Sequence, residues 1–319
     1  MAGIQSILFS GTVIILVSLL ALHIMSYMDA VRTEGAQVAL RIRAGEMASL
    51  LESVELDMPR ALDISARRAL LSAVSEVDVR GAGLDDSLLR LHELMLNGTI
   101  YGAPALWMND STISTWIDRV GVIASKRGVS LNITIQELAV APYDSFNLQS
   151  TLKWNIVVND SLGKMAVVRS ITTEIIIPLS GMEDPLYLLG TRGLAHRSIY
   201  AANFTVRNLT SLDSAISGGY YLNASDGPSF LDRLEGSLAP QQKYLDMAEG
   251  QIGLETFVNL PEIYSAGVDV KQNQTMVDHL YFSTLNLTGS RINGSIHDWF
   301  KIDVQHAQAY GVDGLLVPG

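Results

Sequence analysis

The sequence predicts an α+β fold: an N-terminal transmembrane helix continuing into a helical stalk, then a head in which helices pack on an antiparallel β-meander. Three observations carry that expectation. Residues Ile4 to Ile24 contain no Asp, Glu, Lys or Arg. From Val31 to Val74, apolar residues recur at helical spacing between charged ones. Between Leu131 and Ile177 the apolar period changes from 3.6 to 2.

The uncharged run of 21 residues reaches about 30 Å at about 1.5 Å per residue, the thickness of a hydrocarbon core. A cleaved secretory signal wants a basic start, a shorter apolar run and a small-x-small exit. Here no Lys or Arg precedes Arg32, and Ile24-Met25-Ser26-Tyr27-Met28 offers no such exit. An uncleaved anchor over residues 1–28 is therefore expected. Orientation sets two signals against each other. Arg32, Arg41 and Arg43 lie just after the span, and positive-inside counting would hold the C-terminal part of the chain in the cytoplasm. Ten glycosylation sequons lie beyond residue 96, however, and a large domain translocates regardless of flanking charge. The expected topology is N-terminus inside, with the bulk of the chain extracellular and the protein in the cell membrane.

Residues 29–80 read as the stalk. Val31, Val38, Ile42, Met47, Leu50, Leu51 and Val54 form one helical stripe. Pro59, two residues after Asp57, suits the first turn of a new helix, so a kink or restart is expected near Met58. Leu62, Ile64, Ala69, Leu70 and Val74 continue to about Glu76, and Asp78 to Asp86 reads as a Gly-containing loop.

Residues 81–180 read as an α+β unit. Asp86 caps a helix carrying Leu88, Leu89, Leu91 and Met95, which ends at Asn97-Gly98. A second helix starts near Ser111, presents Ile113, Trp116, Ile117, Val120 and Ile123, and closes at Lys126-Arg127-Gly128. Strands come next at Leu131–Ile135, Leu152–Val158 and Val167–Ile177, with a hairpin turn at residues 159–163. Residues 181–319 read as a second α+β region of mixed short elements. In it Ser229 caps a short helix through Leu234, residues 255–258 form a strand, and Asp303 caps a helix through Ala309.

Ten of the thirteen asparagines are followed by any residue but proline and then Ser or Thr: Asn97, Asn109, Asn132, Asn159, Asn203, Asn208, Asn223, Asn273, Asn286 and Asn293. Ser and Thr are 46 of 319 residues, so chance would supply roughly two such asparagines. The pattern marks an N-glycosylated surface domain. No cysteine is present, which excludes thiol catalysis, thiolate zinc sites and iron–sulfur clusters. A net charge of −11 with six lysines disfavours nucleic acid and anionic lipid as partners.

No stretch of the sequence carries a catalytic, cofactor-binding or metal-binding pattern. His23, His92, His196 and His279 have no second histidine nearby in sequence. His297 and His306 bracket Asp298 and Asp303 without the i,i+4 spacing of a metalloprotease helix, and read as ordinary surface or partly buried histidines. Ser217-Gly218-Gly219 and Ser180-Gly181 do not make a nucleophile elbow. The carboxylate pairs Glu183-Asp184 and Asp85-Asp86 are common in any acidic chain. An enzyme is not expected.

Four strings carry a family resemblance: MPRALDISARRALLSAVSEV (58–77), SGMEDPLYLLGT (180–191), PSFLDRLEG (228–236) and GLETFVN (253–259). By these landmarks the chain resembles a family of archaeal membrane-anchored, pilus-associated (pilin-like) cell-surface proteins. The resemblance implies a surface component linked to a type-IV-pilus-like system, with other pilus-like or surface-layer proteins as partners. An ordinary pilin carries a basic leader before its hydrophobic segment, and this chain has no basic residue there. The expected function is a structural or adhesive glycoprotein, an accessory rather than the main filament subunit. A ligand-binding ectodomain is the alternative, and an extracellular hydrolase the third.

Overall fold

The computed structural model describes residues 2–160 and 165–317, with side chains from residue 11 onward. Residues 161–163 of the expected hairpin turn, the side chains of residues 4–10 in the expected span, and Pro318-Gly319 lie outside the described residues.

A single helix, α1 (Ala2–Arg80), forms the first quarter of the chain. Its apolar residues from Val13 to Met28 are exposed on every side. Among the described residues it is the one helix long and apolar enough to cross a membrane. Burial begins at Met47 and continues through Leu51, Val54, Met58 and Leu62 to Val77. The expected stalk over 29–80 is therefore exposed only to about residue 46; the rest is the central helix of the head.

The restart expected at Pro59 does not occur, because Pro59 lies inside α1. An interior proline removes one helical hydrogen bond and costs about 3 kcal/mol. Burial of Val54 and Met58 before it and Leu62 after it in one core offsets that cost. Asp78 to Arg80, read as loop, complete the helix, which yields at Gly81 (φ +62°).

Helix α2 (Ser87–Asn97) begins where Asp86 accepts from Leu89 N and ends at left-handed Gly98. Ala66, Ala69 and Ala73 are buried on α1, and Ser65 Oγ donates to the Met95 carbonyl at 3.2 Å, so the two helices approach closely. Leu91, Leu94 and Met95 form the buried face of α2, while Leu89 is exposed. A short hairpin, β1 (Thr99–Ile100) with β2 (Ala103–Pro104), precedes α3 (Ile113–Lys126), which Thr112 caps through Thr115 N. Ile113 is buried and Trp116, Ile117 and Val120 pack on the core, but Ile123 faces out.

Glu93 holds that hairpin: its carboxylate accepts from Thr99 Oγ1 (2.9 Å), Gly102 N (2.7 Å), Tyr101 N (3.2 Å) and Arg90. Partial burial favours the protonated acid, but the Gly102, Thr99 and Arg90 bonds outweigh it and lower the pKa. A lowered carboxylate contributes stability above the unfolded value of about 4.3 and loses it as pH falls through the lower folded value. The protection of the Tyr101 and Gly102 amides, measured against their intrinsic exchange rates, is therefore expected to fall on acidification below about pH 4. Glu93→Gln is expected to remove that dependence.

The meander is β3 (Val129–Asp144), β4 (Asn147–Asp160) and β5 (Ala166–Pro178), antiparallel in that order. Leu152, Trp154, Ile156 and Val158 on β4 are buried against the helices, as the alternation predicts. Strand β3 runs nine residues past Ile135, where the sequence reading ended it. Its register steps from Ile135↔Trp154 to Glu137↔Lys153, a bulge that admits one extra residue. Inward positions therefore change from odd numbers (Ile133) to even (Leu138, Val140). Asn159 and Asp160, read as turn, belong to β4. The sheet rests on α1, α2 and α3.

At the point where α1 enters the head, Arg43 donates to Asp160 Oδ1 (2.9 Å), the Arg127 carbonyl (3.0 Å) and the Gly128 carbonyl. One guanidinium thus joins α1, the end of α3 and the end of β4.

Short elements complete the chain, beginning with α4 (Pro185–Thr191), α5 (Leu209–Gly218), β6 (Leu222–Ala224), α6 (Phe230–Leu234), α7 (Gln242–Leu245) and β7 (Gly253–Glu255). Then come α8 (Leu260–Ser265), α9 (Asp278–Tyr281), β8 (Ser290–Ile292), β9 (Lys301–Ile302), α10 (Val304–Ala309) and β10 (Leu316–Val317). Ser229 and Asp303 cap α6 and α10 as expected. The strand expected at 255–258 is displaced: β7 ends at Glu255 and pairs with β6. Among the described residues two hydrophobic clusters result. One joins α1 and the sheet to Phe230, Leu234, Tyr244 and Leu254; the other centres on Phe257, Phe300 and Ile302.

Candidate functional site

Nine of the ten sequon asparagines are exposed, and Asn159, at the end of β4, is half-buried. The three asparagines outside a sequon, Asn147, Asn155 and Asn259, are all half-buried. Asn208 caps α5 by accepting from Ser211 N through Oδ1, and the Oδ1 atoms of Asn273 and Asn286 accept from Lys301 and Gln274. These bonds use the amide oxygen, whereas a glycan is joined at the amide nitrogen.

His297 and His306, both expected as ordinary surface or partly buried histidines, have different partners. His297 Nε2 lies 2.9 Å from Ser217 Oγ at the end of α5. Among the described residues no carboxylate hydrogen-bonds the other ring nitrogen of His297, so this pair lacks the third member of a triad.

His306 instead turns into a buried polar centre assembled from four separate stretches of chain. Asp303 caps α10, and its cap places His306 three residues on, where the Asp303 carboxylate lies 2.9 Å from Nδ1. The His306 ring is 5% exposed, and its Nε2 has no hydrogen-bond partner. Two carboxylates nevertheless stand in front of that atom: Glu255 Oε2 at 3.3 Å and Asp226 Oδ2 at 3.7 Å. Glu255, at the end of β7, is buried, and Asp226, on the loop after β6, is exposed. A Cβ on Gly227 would stand 2.6 Å from the Leu254 carbonyl oxygen, so glycine here lets the Asp226 loop lie close to β7.

The ring of buried His279 is 6.1 Å from that of His306, and its Nδ1 is 3.4 Å from Asp278 Oδ1. Asp226, His279 and His306 each offer a ligand atom within 4.8 Å of the others. Behind them Arg233 Nη1 bridges Asp278 (2.7 Å) and Asp184 (2.6 Å), all three groups fully buried. Asp184 also accepts from Tyr221 Oη and caps α4 through Leu186 N.

Burial opposes a charge on His306, yet the Asp303 and Glu255 carboxylates outweigh it and push the imidazole up to about 10. Burial raises Glu255. Asp278 falls to about 2: burial opposes its ionisation, but Arg233 overcomes that. The centre therefore favours the protonated, positively charged imidazole. It opens to a cavity of about 340 Å³ lined by Phe146, Tyr221, Asn223, Asp226, Glu255 and His306.

Asp226, Glu255 and His279 had no signal in the sequence, since intervals of 24 to 29 residues separate these three and His306. Only the Asp303 cap of α10 is local enough to be legible in the sequence. No family model, no curated protein and no solved structure matches the chain.

Proposed function

We propose that this protein is a single-pass membrane-anchored glycoprotein whose head stands outside the cell in a structural or adhesive role, as an accessory of a pilus-like system. The observation that carries the reading is the placement of the sequons. They begin only at residue 97, and nine of ten asparagines are at the surface. An uncovered apolar helix from Val13 to Met28 supports the anchor. Of the three arginines that argued for the opposite topology, Arg43 is engaged by Asp160 and two carbonyls of the head.

The test is intact mass of the protein purified from its native membrane, together with protease accessibility on whole cells. Mass above that of the polypeptide, and a head digested from outside, are expected. A native mass equal to the unmodified chain sinks the proposal. Asn→Gln at Asn97, Asn132 and Asn286 is expected to remove one glycan mass each. Thr275, the hydroxyl residue of the Asn273 sequon, is buried and donates to Asp303 at 2.8 Å. Lower occupancy at Asn273 than at Asn97 is therefore expected wherever transfer occurs after folding. The cavity beside His306 favours a second reading, a ligand-binding ectodomain, which loss of adhesion in a deletion strain would count against.

A further inference from the structure

We propose that Asp226, His279 and His306, with Glu255 beside His306, form a binding site for one divalent transition-metal ion of the zinc class, open on one side to the cavity. The inference stands independently of the topology and glycosylation reading.

Three features point to a metal. The first is the way His306 is presented: Asp303 holds its Nδ1, while its Nε2 faces Glu255 and Asp226 without a well-aligned hydrogen bond to either. The second is the shell behind the ligands. Metal-binding histidines characteristically give their second ring nitrogen to a carboxylate, which fixes the ring and raises its basicity. Asp303 does this for His306, and Asp278, itself anchored by Arg233, does it for His279. The third is charge. Asp184, Asp226, Glu255, Asp278 and Asp303 are linked through one arginine and two histidines. A divalent cation beside Nε2 would reduce that excess of acid.

The spacing fits. Zinc bonds of about 2.0–2.1 Å in a tetrahedron place neighbouring ligand atoms about 3.3 Å apart. Glu255 Oε2 already lies 3.3 Å from His306 Nε2, and Asp226 Oδ2 at 3.7 Å lies on a loop exposed enough to move inward. Two imidazoles among the ligands favour zinc, iron, cobalt or nickel over calcium or magnesium, which prefer oxygen. The exposed position of Asp226 leaves one side of the ion facing the cavity, where water or an anionic ligand can complete the coordination.

The test uses the full chain in detergent, stripped with a chelator and titrated with Zn²⁺, Co²⁺ and Ca²⁺. One equivalent of Zn²⁺ is expected to bind and raise the melting temperature. Co²⁺ is expected to give visible absorption from nitrogen and oxygen ligands. His306→Gln and His279→Gln should abolish tight binding, and Asp303→Asn should weaken it about 10–100-fold by loosening the ring. Asp226→Asn, on an exposed loop, keeps the test decisive if a buried variant misfolds: it should retain the wild-type melt without zinc and bind zinc at least about 10-fold more weakly. No stoichiometric Zn²⁺ binding, a preference for Ca²⁺, or unchanged affinity in Asp226→Asn would overturn the assignment.

Discussion

A chain that begins at Ala61 is expected not to fold, whereas one that begins at Thr33 melts cooperatively. The Thr33 chain lacks the apolar segment but keeps Arg43 and every buried residue of α1. The Ala61 chain loses Met47, Leu50, Leu51, Val54 and Met58, all buried in the core shared with the sheet. Each such side chain contributes about 1.5–3 kcal/mol, so their joint loss is about 10 kcal/mol. Whole domains are stable by about 5–15 kcal/mol. Deletion also removes Glu55 from Arg169 and Asp57 from Trp116, contacts that tie the helix to β5 and α3. Thermal melts followed by near-ultraviolet circular dichroism distinguish the two chains. A cooperative melt of the Ala61 chain would show that this part of α1 is a stalk after all.

Replacement of Arg233 by Met is expected to destabilise the head by about 3–5 kcal/mol, the usual cost of leaving a buried charge without its partner. Methionine roughly fills the space, so lost volume is not the main effect. The effect comes from Asp184 and Asp278, which are fully buried and share one guanidinium nitrogen. Arg233 also donates to the Leu254 and Pro228 carbonyls, which would lose that donor. Denaturant unfolding gives the magnitude. Asp278→Asn added to Arg233→Met is expected to recover part of the loss, because it removes one unpaired carboxylate. A second substitution that merely adds its own destabilisation would place the cost in packing instead.

The legible parts of the fold were those set by short-range chemistry. Caps at Asp86, Ser229 and Asp303 need only a side-chain acceptor three residues before a free backbone N–H, and all three stand as read. The meander was legible from period-two alternation, until a bulge at Gln136 inverted the parity and hid the second half of β3. At Pro59 the local preference for a helix start is overridden by a core that buries residues on both sides of it. Ile123 and Leu89 matched their helical stripes but face outward, since a stripe read from sequence is wider than the contact the neighbours cover.

The sequence by itself determined the outline: an uncharged apolar helix long enough for a membrane, an α+β head, and surface asparagines in sequons. Each is a property of neighbours within a few residues, where hydrophobic periodicity and capping act. Tertiary structure alone decided that the stalk is largely core, and that Arg43 belongs to the head. It alone brought His306 to Glu255, His279 and Asp226. Those outcomes depend on which faces the elements bury against one another. The hydrophobic free energy that sets this packing is summed over the whole chain, and local spacing does not encode which distant residues will meet.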